Sequence, residues 1–579
     1  MTSSTQKHEA QKHHEPEERS FDSSTSTVRA KLKGGVPHYM GLSGDVLLAA
    51  ITVTATCSFL LFGYDQGVMS GIISAPQFYR VFPDLDPAIT GSKHSSTMQA
   101  FYTAIYEVGC LAGACFALLY GNKLGRRKNI FIGAIFVIMG AIIQITAYPG
   151  AKAGHQFVIG RIVTGIGNGL NTATVPSWQA ECSKSHNRGL HICIEASMIA
   201  TGTVIAYWID FGLSFIDTSI SWRLPIGLQI IFAVVVIIGI WHLPESPRFL
   251  LSTGQIEEGE HVIAALANEP VSAPHTQMTK RVILEGLESV GELEIKHVLT
   301  GGPSQHLRRT LVGASSQLFQ QIGGCNAVIY FAPVIFETYI GLERRLALIL
   351  GGVCSTVYAI SAFGSYPMIE RLGRRKMFLL GTTGQALSMF LASFCLIPYN
   401  VSGDTENRAT YGAVVGLFLF LISFGCTWLE LPWLYPAEIN PNAIRTNANA
   451  ISTMTNWSWN FAVVMWTPPM LDSLGGFGTF LFFGIVNLCF FPFIFLFYVE
   501  TKGRSLEEID IIFAKGYTNK EWYVNVGHQL PPLDHAEIER HAVLYGLAGD
   551  EEKRRHEFEH PPSVREEAEK DRQGSPNHA

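Results

Sequence analysis

The sequence predicts an all-α membrane protein in which twelve transmembrane helices form two pseudo-symmetric six-helix bundles. Three observations carry this. The 579 residues are 47% hydrophobic and only 16% charged, whereas soluble domains usually carry about 25% charge. Apolar runs long enough to cross a bilayer, about 20 residues each, come as six, a gap, then six. A basic phrase is also repeated: Asn122 to Lys128 (NKLGRRK) is echoed by Glu370 to Lys376 (ERLGRRK), each copy between two apolar runs. A basic turn that recurs half a chain away marks a duplicated bundle.

The elements follow in order. Residues 1–44 are expected to be a disordered cytoplasmic tail, because the first 40 are rich in Ser, Thr, His and Glu and have no apolar run. No secretory signal is expected, since no short apolar segment follows a basic start. The first bundle, 45–243, takes spans near 47–71, 98–120, 130–148, 156–177, 191–213 and 226–243. Residues 244–309 hold most of the central charge and are expected to be a cytoplasmic linker with short helices. The second bundle, 310–499, takes spans near 310–336, 346–369, 377–398, 411–435, 447–471 and 477–498. Residues 500–579 form a polar cytoplasmic tail with no evident folded module, disordered towards its acidic end.

Basic residues set the orientation. The loops after spans 2, 4, 8 and 10 are the richer in Lys and Arg, and the loop after span 7, with Arg344 and Arg345, is the exception. The positive side is cytoplasmic, so both termini and the linker are expected there. Asn400-Val401-Ser402 is then a glycosylation sequon on the outer side. The ten cysteines lie mostly inside apolar runs and read as small core residues, not as a metal site or disulfide framework. The net charge of −6 and the lack of a basic stripe argue against nucleic acid.

More punctuation is duplicated. Glu181 and Arg188 match Glu438 and Arg445, both pairs seven apart, and Pro244-Glu245-Ser246-Pro247-Arg248 matches Val499-Glu500-Thr501-Lys502-Gly503. With Arg126, Arg127, Arg374 and Arg375 of the basic turns, these residues make a ring of carboxylates and guanidiniums at the inner mouth. Such pairs latch two bundles when that side is closed and break when it opens. The glycines allow tight turns, and the arginines are placed to hold helix ends and carboxylates on the far half.

These phrases resemble the sugar porter branch of the major facilitator superfamily over roughly 45–515. The resemblance rests on Gly63-Tyr64-Asp65-Gln66-Gly67, on Gly160-Arg161 with Gly165, Gly167 and Gly169, on Pro244 to Arg248, on Gln320-Gln321 with Gly324 and Asn326, and on Glu500-Thr501-Lys502-Gly503. A closer likeness, to fungal glycerol/proton symporters, rests on Gly169-Leu170-Asn171-Thr172, on Ala206 to Gly212 (AYWIDFG) and on Gly503 to Lys515. The resemblance implies two six-helix bundles about a midplane site, working by alternating access. Asn122 stands where the family often has Asp. Leu429-Glu430 replaces the commoner Gly-Pro, and Ala196, beside Glu195, replaces a frequent Gln. The last two departures leave the solute open.

An ionisable side chain at the bilayer centre costs about 2.5–3.5 kcal/mol, so each one asks for a reason. Asp65 lies in the first span, followed by Gly67 and Gly71, which let helices approach, and Arg161 opens the glycine-rich face of the fourth. The resemblance assigns proton coupling to Asp65 and Arg161; a permanent structural pair is the alternative. Glu107 is expected to pack helices or serve a gate, Asp210 to be structural near the outer interface, and Glu195 and Glu430 to be possible tuners of solute choice. Gln320, Gln321, Asn326 and Tyr330 lie in the seventh span, Trp433 in the tenth and Asn456 in the eleventh. Amides both donate and accept, as hydroxyl groups do. Gln320, Gln321, Asn326, Trp433 and Asn456 fall where the family contacts solute, and Tyr330 lies one turn after Asn326. The Gly165-x-Gly167-x-Gly169 pattern has no preceding strand and reads as helix packing, not a nucleotide loop.

The expectation is therefore a secondary active transporter that imports glycerol or a related polyol or sugar with a proton across a fungal plasma membrane. Its partners are the lipid bilayer, a small polyhydroxylated solute and a proton. It needs no cofactor and works as a monomer, and its tails offer sites for trafficking or ubiquitination machinery. No nucleophile–base pair suggests an enzyme. A facilitative hexose or pentose uniporter and a non-transporting nutrient sensor remain as alternatives.

Overall fold

In lipid a backbone amide finds no water, so spans satisfy their hydrogen bonds internally as helices. The structure, a computed structural model, describes residues 35–150, 152–183, 188–288, 298–397, 409–441 and 444–547. The Asn400 sequon lies outside these residues. Among them, ten helices are long and apolar enough to cross a membrane. Two more spans are evident on inspection. The fourth, Ala153–Cys182, is less apolar because its buried face carries Arg161, Asn168, Asn171 and Gln179. The 53-residue helix Arg445–Phe497 is two spans joined at Gly475, whose φ of 66° and ψ of −179° are not helical. At about 1.5 Å per residue it is far too long to cross a bilayer core once. The chain is a multi-pass all-α membrane protein of twelve spans in two pseudo-symmetric bundles.

The first bundle comprises Gly44–Ile72, Ser92–Leu124, Arg126–Ile145, Ala153–Cys182, Arg188–Leu213 and Ile220–His242. Glycines set its spacing. A Cβ on Gly63 would strike the Ile199 carbonyl, and one on Gly202 the Leu60 carbonyl, so spans 1 and 5 meet nearly backbone to backbone. Gly165 and Gly169 press likewise on the Tyr106 and Cys110 carbonyls of span 2, and Gly167 on Gly133 of span 3. The Gly-x-Gly-x-Gly pattern is thus a packing device.

In the second bundle the seventh span is broken: His306–Ile322 gives way at Gly324 (φ 94°) to Cys325–Val334. The eighth and ninth are Arg344–Leu372 and Arg374–Cys395. The tenth runs Ala409–Ser423, a π turn Phe424–Trp428, then Leu431–Ile439. Across the halves, span 2 packs on the Arg445–Phe497 helix, span 5 on span 8, and span 1 on the second part of span 7.

Both basic turns hinge on a left-handed glycine, Gly125 at φ 86° and Gly373 at φ 87°. Short helices Pro247–Ser252, Ile256–Ala267 and Pro274–Glu288 follow the first bundle. The second tail is more folded than its sequence suggested. Capping boxes Ser505/Glu508 and Asp534/Glu537 start helices Leu506–Asn519 and His535–Leu544. Asp510 pairs at 2.6 Å with Arg309, and Arg308 lies 4.3 Å over the Tyr523 ring. The missed signal was the S-x-x-E and D-x-x-E spacing.

Candidate functional site

Asp65 and Arg161 meet in the first bundle. Arg161 Nη1 donates to Asp65 Oδ1 at 3.0 Å, and both side chains are fully buried. Arg161 also donates to the Thr103 carbonyl at 3.3 Å and lies 4.6 Å over the Tyr106 ring. Asn168 holds the Tyr106 hydroxyl at 2.8 Å. Arg161 Nε has no hydrogen-bond partner, and Asp65 Oδ2 has none of good geometry, the Tyr106 hydroxyl being the side-chain donor beside the carboxylate. The pair is complete on one edge and open on the other.

The next residue, Gln66, faces elsewhere. It lines a cavity of about 320 Å³ between the halves, with Phe62 and Ile199 from the first and Gln320, Gln321, Asn326, Trp433, Asn456, Tyr358 and Phe424 from the second. Most of that space is open to solvent or too narrow to fill, and only about 30 Å³ admits a water-sized sphere, room for about two waters, so the site is nearly closed in this conformation. An amide network frames it. Gln320 Nε2 donates to the Trp428 carbonyl at 2.7 Å, and its Oε1 accepts from Asn456 at 3.0 Å. Asn326 Nδ2 donates to Gln321 Oε1 and to Asn460 Oδ1, each at 2.7 Å. Gln317, which the sequence reading did not single out, accepts from Asn456 at 2.5 Å and donates to the Pro432 carbonyl at 2.8 Å. It sits three residues before Gln320, on the same helix face. Phe62 and Gln66 were also missed as wall residues, though they flank Asp65 in a conspicuous phrase.

Tyr330 is placed apart from the other amide-helix residues. Its hydroxyl donates to Glu107 Oε1 at 2.9 Å, joining the two halves, and it is not on the cavity wall. Glu430 Oε1 accepts from Ser197 at 3.3 Å, also across the halves. Glu195 is buried with neither carboxylate oxygen partnered. Neither glutamate lines the cavity.

The ring near the basic turns is duplicated in detail, but each described pair closes within its own half. Arg126 pairs with Glu181 at 2.9 Å, and Arg374 with Glu438 at 2.8 Å. Glu245 accepts from the Arg126 and Arg127 amides at 3.1 and 3.0 Å, and Glu500 from the Arg374 and Arg375 amides at 2.8 and 3.2 Å. Ser246 and Thr501 bond Glu181 and Glu438 in turn. In this conformation the basic turns therefore do not reach carboxylates on the far half; each turn lies directly beside its own bundle's partner. Burial raises the Glu245 carboxyl above the usual range despite its three amide donors. Arg127 and Arg375 hold helix ends instead, Arg127 at the Ile240 and Trp241 carbonyls (3.1 and 2.7 Å) and Arg375 at the Phe495 carbonyl (2.8 Å). Arg445 donates to the Asn440 carbonyl at 3.4 Å, and Arg248 is half-buried in Pro247–Ser252. The Arg188 side chain lies outside the described residues.

A second cavity, about 750 Å³, opens between the halves beside these turns and is lined by Arg126, Asn129, Gln317 and Asn449; Trp433 lines both this cavity and the amide-walled one. On the opposite face the halves are joined. Ser70 and Tyr207 donate to the Ile329 carbonyl at 3.1 and 2.6 Å, Arg344 to the Ser74 carbonyl at 3.0 Å, and Ser96 to Asp472. Hydrogen bonds thus tie the halves together on this face, while the cavity lined by Arg126 and Trp433 separates them beside the basic turns.

Known proteins share the sequence pattern and the fold. The family described as sugar (and other) transporter matches residues 50–513. The chain is 45% identical to the sugar transporter STL1 of Saccharomyces cerevisiae, over 92% of each chain. It is 44% identical to the major facilitator superfamily transporter mfsA of Aspergillus fumigatus, over 88% of this chain and 93% of that one. Among solved structures, the proton:xylose symporter XylE of E. coli, bound to 6-bromo-6-deoxy-D-glucose, superposes with a TM-score of 0.67 at 25% identity, covering 81% of this chain and all of that one.

Proposed function

This chain belongs to the sugar (and other) transporter family of the major facilitator superfamily, and from that premise we propose that it imports glycerol or a related polyol or sugar by proton symport. The observation that carries the proposal is the adjacency of Asp65 and Gln66. One faces a buried arginine and has an open carboxylate oxygen; the other faces the amide-walled cavity. A single helix therefore bears both the proton and the solute.

Asp65 takes a proton on Oδ2 when the site faces outward. Neutralising it weakens the hold on Arg161, and the first span is freed to tilt with the solute in place. After the halves reopen toward the basic turns, Arg161 re-forms the pair and expels the proton. Gln320, Gln321, Asn326 and Asn456 exchange hydroxyl hydrogen bonds with the solute, and Trp433 covers its C–H face. Glu107–Tyr330 ties the proton-site helices to the solute-binding seventh span, and Glu195 and Glu430 tune the choice of solute. The ring of Arg126, Glu181, Arg188, Glu245 and Arg248 with Arg374, Glu438, Arg445 and Glu500 governs the inner mouth, while Arg127 and Arg375 brace it. Likeness to a proton:xylose symporter supports coupling. The setting is the plasma membrane, with both termini cytoplasmic.

One proton moving inward gains about 2.3 kcal/mol per 100 mV, enough to concentrate solute roughly fiftyfold. The test adds glycerol to lightly buffered cells expressing the protein. A symporter alkalinises the medium; uptake with no pH change identifies a uniporter.

A further inference from the structure

We propose that the joined face carries a second binding site, an outer station for neutral polyhydroxylated solute in which the Asp210 carboxylate accepts hydroxyl hydrogen bonds. It takes from the transport reading the class of solute and the orientation that puts this face outside the cell.

Asp210 lies in the last turn of Arg188–Leu213. It is 6% exposed, and no side chain pairs with either carboxylate oxygen; the donor nearest to them is the Gly71 backbone amide. A buried carboxylate without a side-chain partner is costly and calls for a ligand or a partner. Gly71 of span 1 clears the space beside it: a Cβ there would come within 2.6 Å of Asp210 Oδ2. Glu195 also has two unpartnered oxygens, but Asp210 lines a cavity with about 340 Å³ of water-accessible space. Its wall adds Gln77, Ser214 and Ser221 from the first half and Glu343, Arg344 and Arg345 from the second.

The mixture of charges selects the ligand. Arg344 is engaged by Glu337 at 3.1 Å and by the Ser74 carbonyl at 3.0 Å, so a bare cation would face chiefly Arg345, and a bare anion would face Asp210 and Glu343. A neutral molecule with adjacent hydroxyls suits both, donating to carboxylate and accepting from guanidinium. The position fits a station on the transport route. Ser70, next to Gly71, and Tyr207, one turn before Asp210, both bond the Ile329 carbonyl, and Ile329 lines the central cavity. Solute held at Asp210 therefore waits at the seal that separates it from the amide-walled site.

The test places a reporter on the half-buried wall residue, Ser214→Cys, and labels intact cells with a membrane-impermeant thiol reagent, the parent chain giving the background. Gln321→Ala is added to weaken the central site. Glycerol and xylitol should slow labelling, and 1-propanol, of similar size without adjacent hydroxyls, should not. Asp210→Ala and the isosteric Asp210→Asn should each raise the protecting concentration at least about tenfold. Arg345→Ala, at an exposed side chain, should raise it in the same direction if either Asp210 variant fails to reach the surface. Protection that is absent, that 1-propanol matches, or that survives these substitutions overturns the proposal. Because protection is read without transport, an uncoupled or differently selective central site would leave this result standing.

Discussion

Asp65→Asn separates coupling from carriage. The substitution keeps side-chain volume and an oxygen within reach of Arg161 but removes both the charge and the site of protonation. Asp65 and Arg161 are fully buried and 3.0 Å apart, and removing one partner of such a pair costs about 3–5 kcal/mol. Asn retains an acceptor, and Arg161 keeps the Thr103 carbonyl and the Tyr106 face, so the cost should fall at or below the low end. The functional loss is larger in proportion. Without a travelling proton the roughly fiftyfold gradient available at 100 mV collapses to about one. The assay compares steady-state accumulation of labelled glycerol with counterflow exchange in a transporter-null strain. Exchange should persist, which shows that the protein is folded and carries solute, while accumulation vanishes. Accumulation at the parent level would refute the coupling argument outright.

Three further outcomes follow. Gln321→Ala removes one of the two acceptors of Asn326 and should weaken solute affinity by about 1–3 kcal/mol, a roughly five- to 150-fold rise in apparent KM; an unchanged concentration series counts against the amide site. Gly63→Ala sets a methyl against the Ile199 carbonyl and should lower stability in detergent by about 1–3 kcal/mol, seen as an earlier thermal unfolding; an unshifted transition would mean that spans 1 and 5 can part cheaply. Arg309→Ala removes the buried partner of Asp510 and should open the 506–547 segment to limited protease while the spans stay protected; a parent-like digest would place the tail's anchorage elsewhere.

Much was legible because it is local. Span length, the left-handed glycines of the two basic turns and the repeated Arg–Glu landmarks all follow from hydrophobic run length, φ preference and spacing. Asp65 and the Gln320, Gln321, Asn326 and Asn456 amides stand out as polar groups at membrane depth, but it was the resemblance to sugar porters that gave them roles. The helices within 506–544 were not legible for the opposite reason: their two capping boxes are weak signals beside a low apolar content, and the pairing of buried Arg309 with Asp510 joins residues far apart in the chain.

The sequence by itself determined that this is a duplicated, twelve-span membrane protein with a carboxylate and a cluster of amides inside it. Only the tertiary structure decided which of these face one another. Composition cannot say that Gln317 joins the amide network, that Tyr330 turns from the cavity to Glu107, or that Arg126 and Arg374 each bond within their own half. A helix shows its buried stripe in its own periodicity. The rotation that aims one side chain of that stripe at a particular neighbour is set by packing against other helices, glycine against carbonyl, and those contacts join residues far apart in the chain.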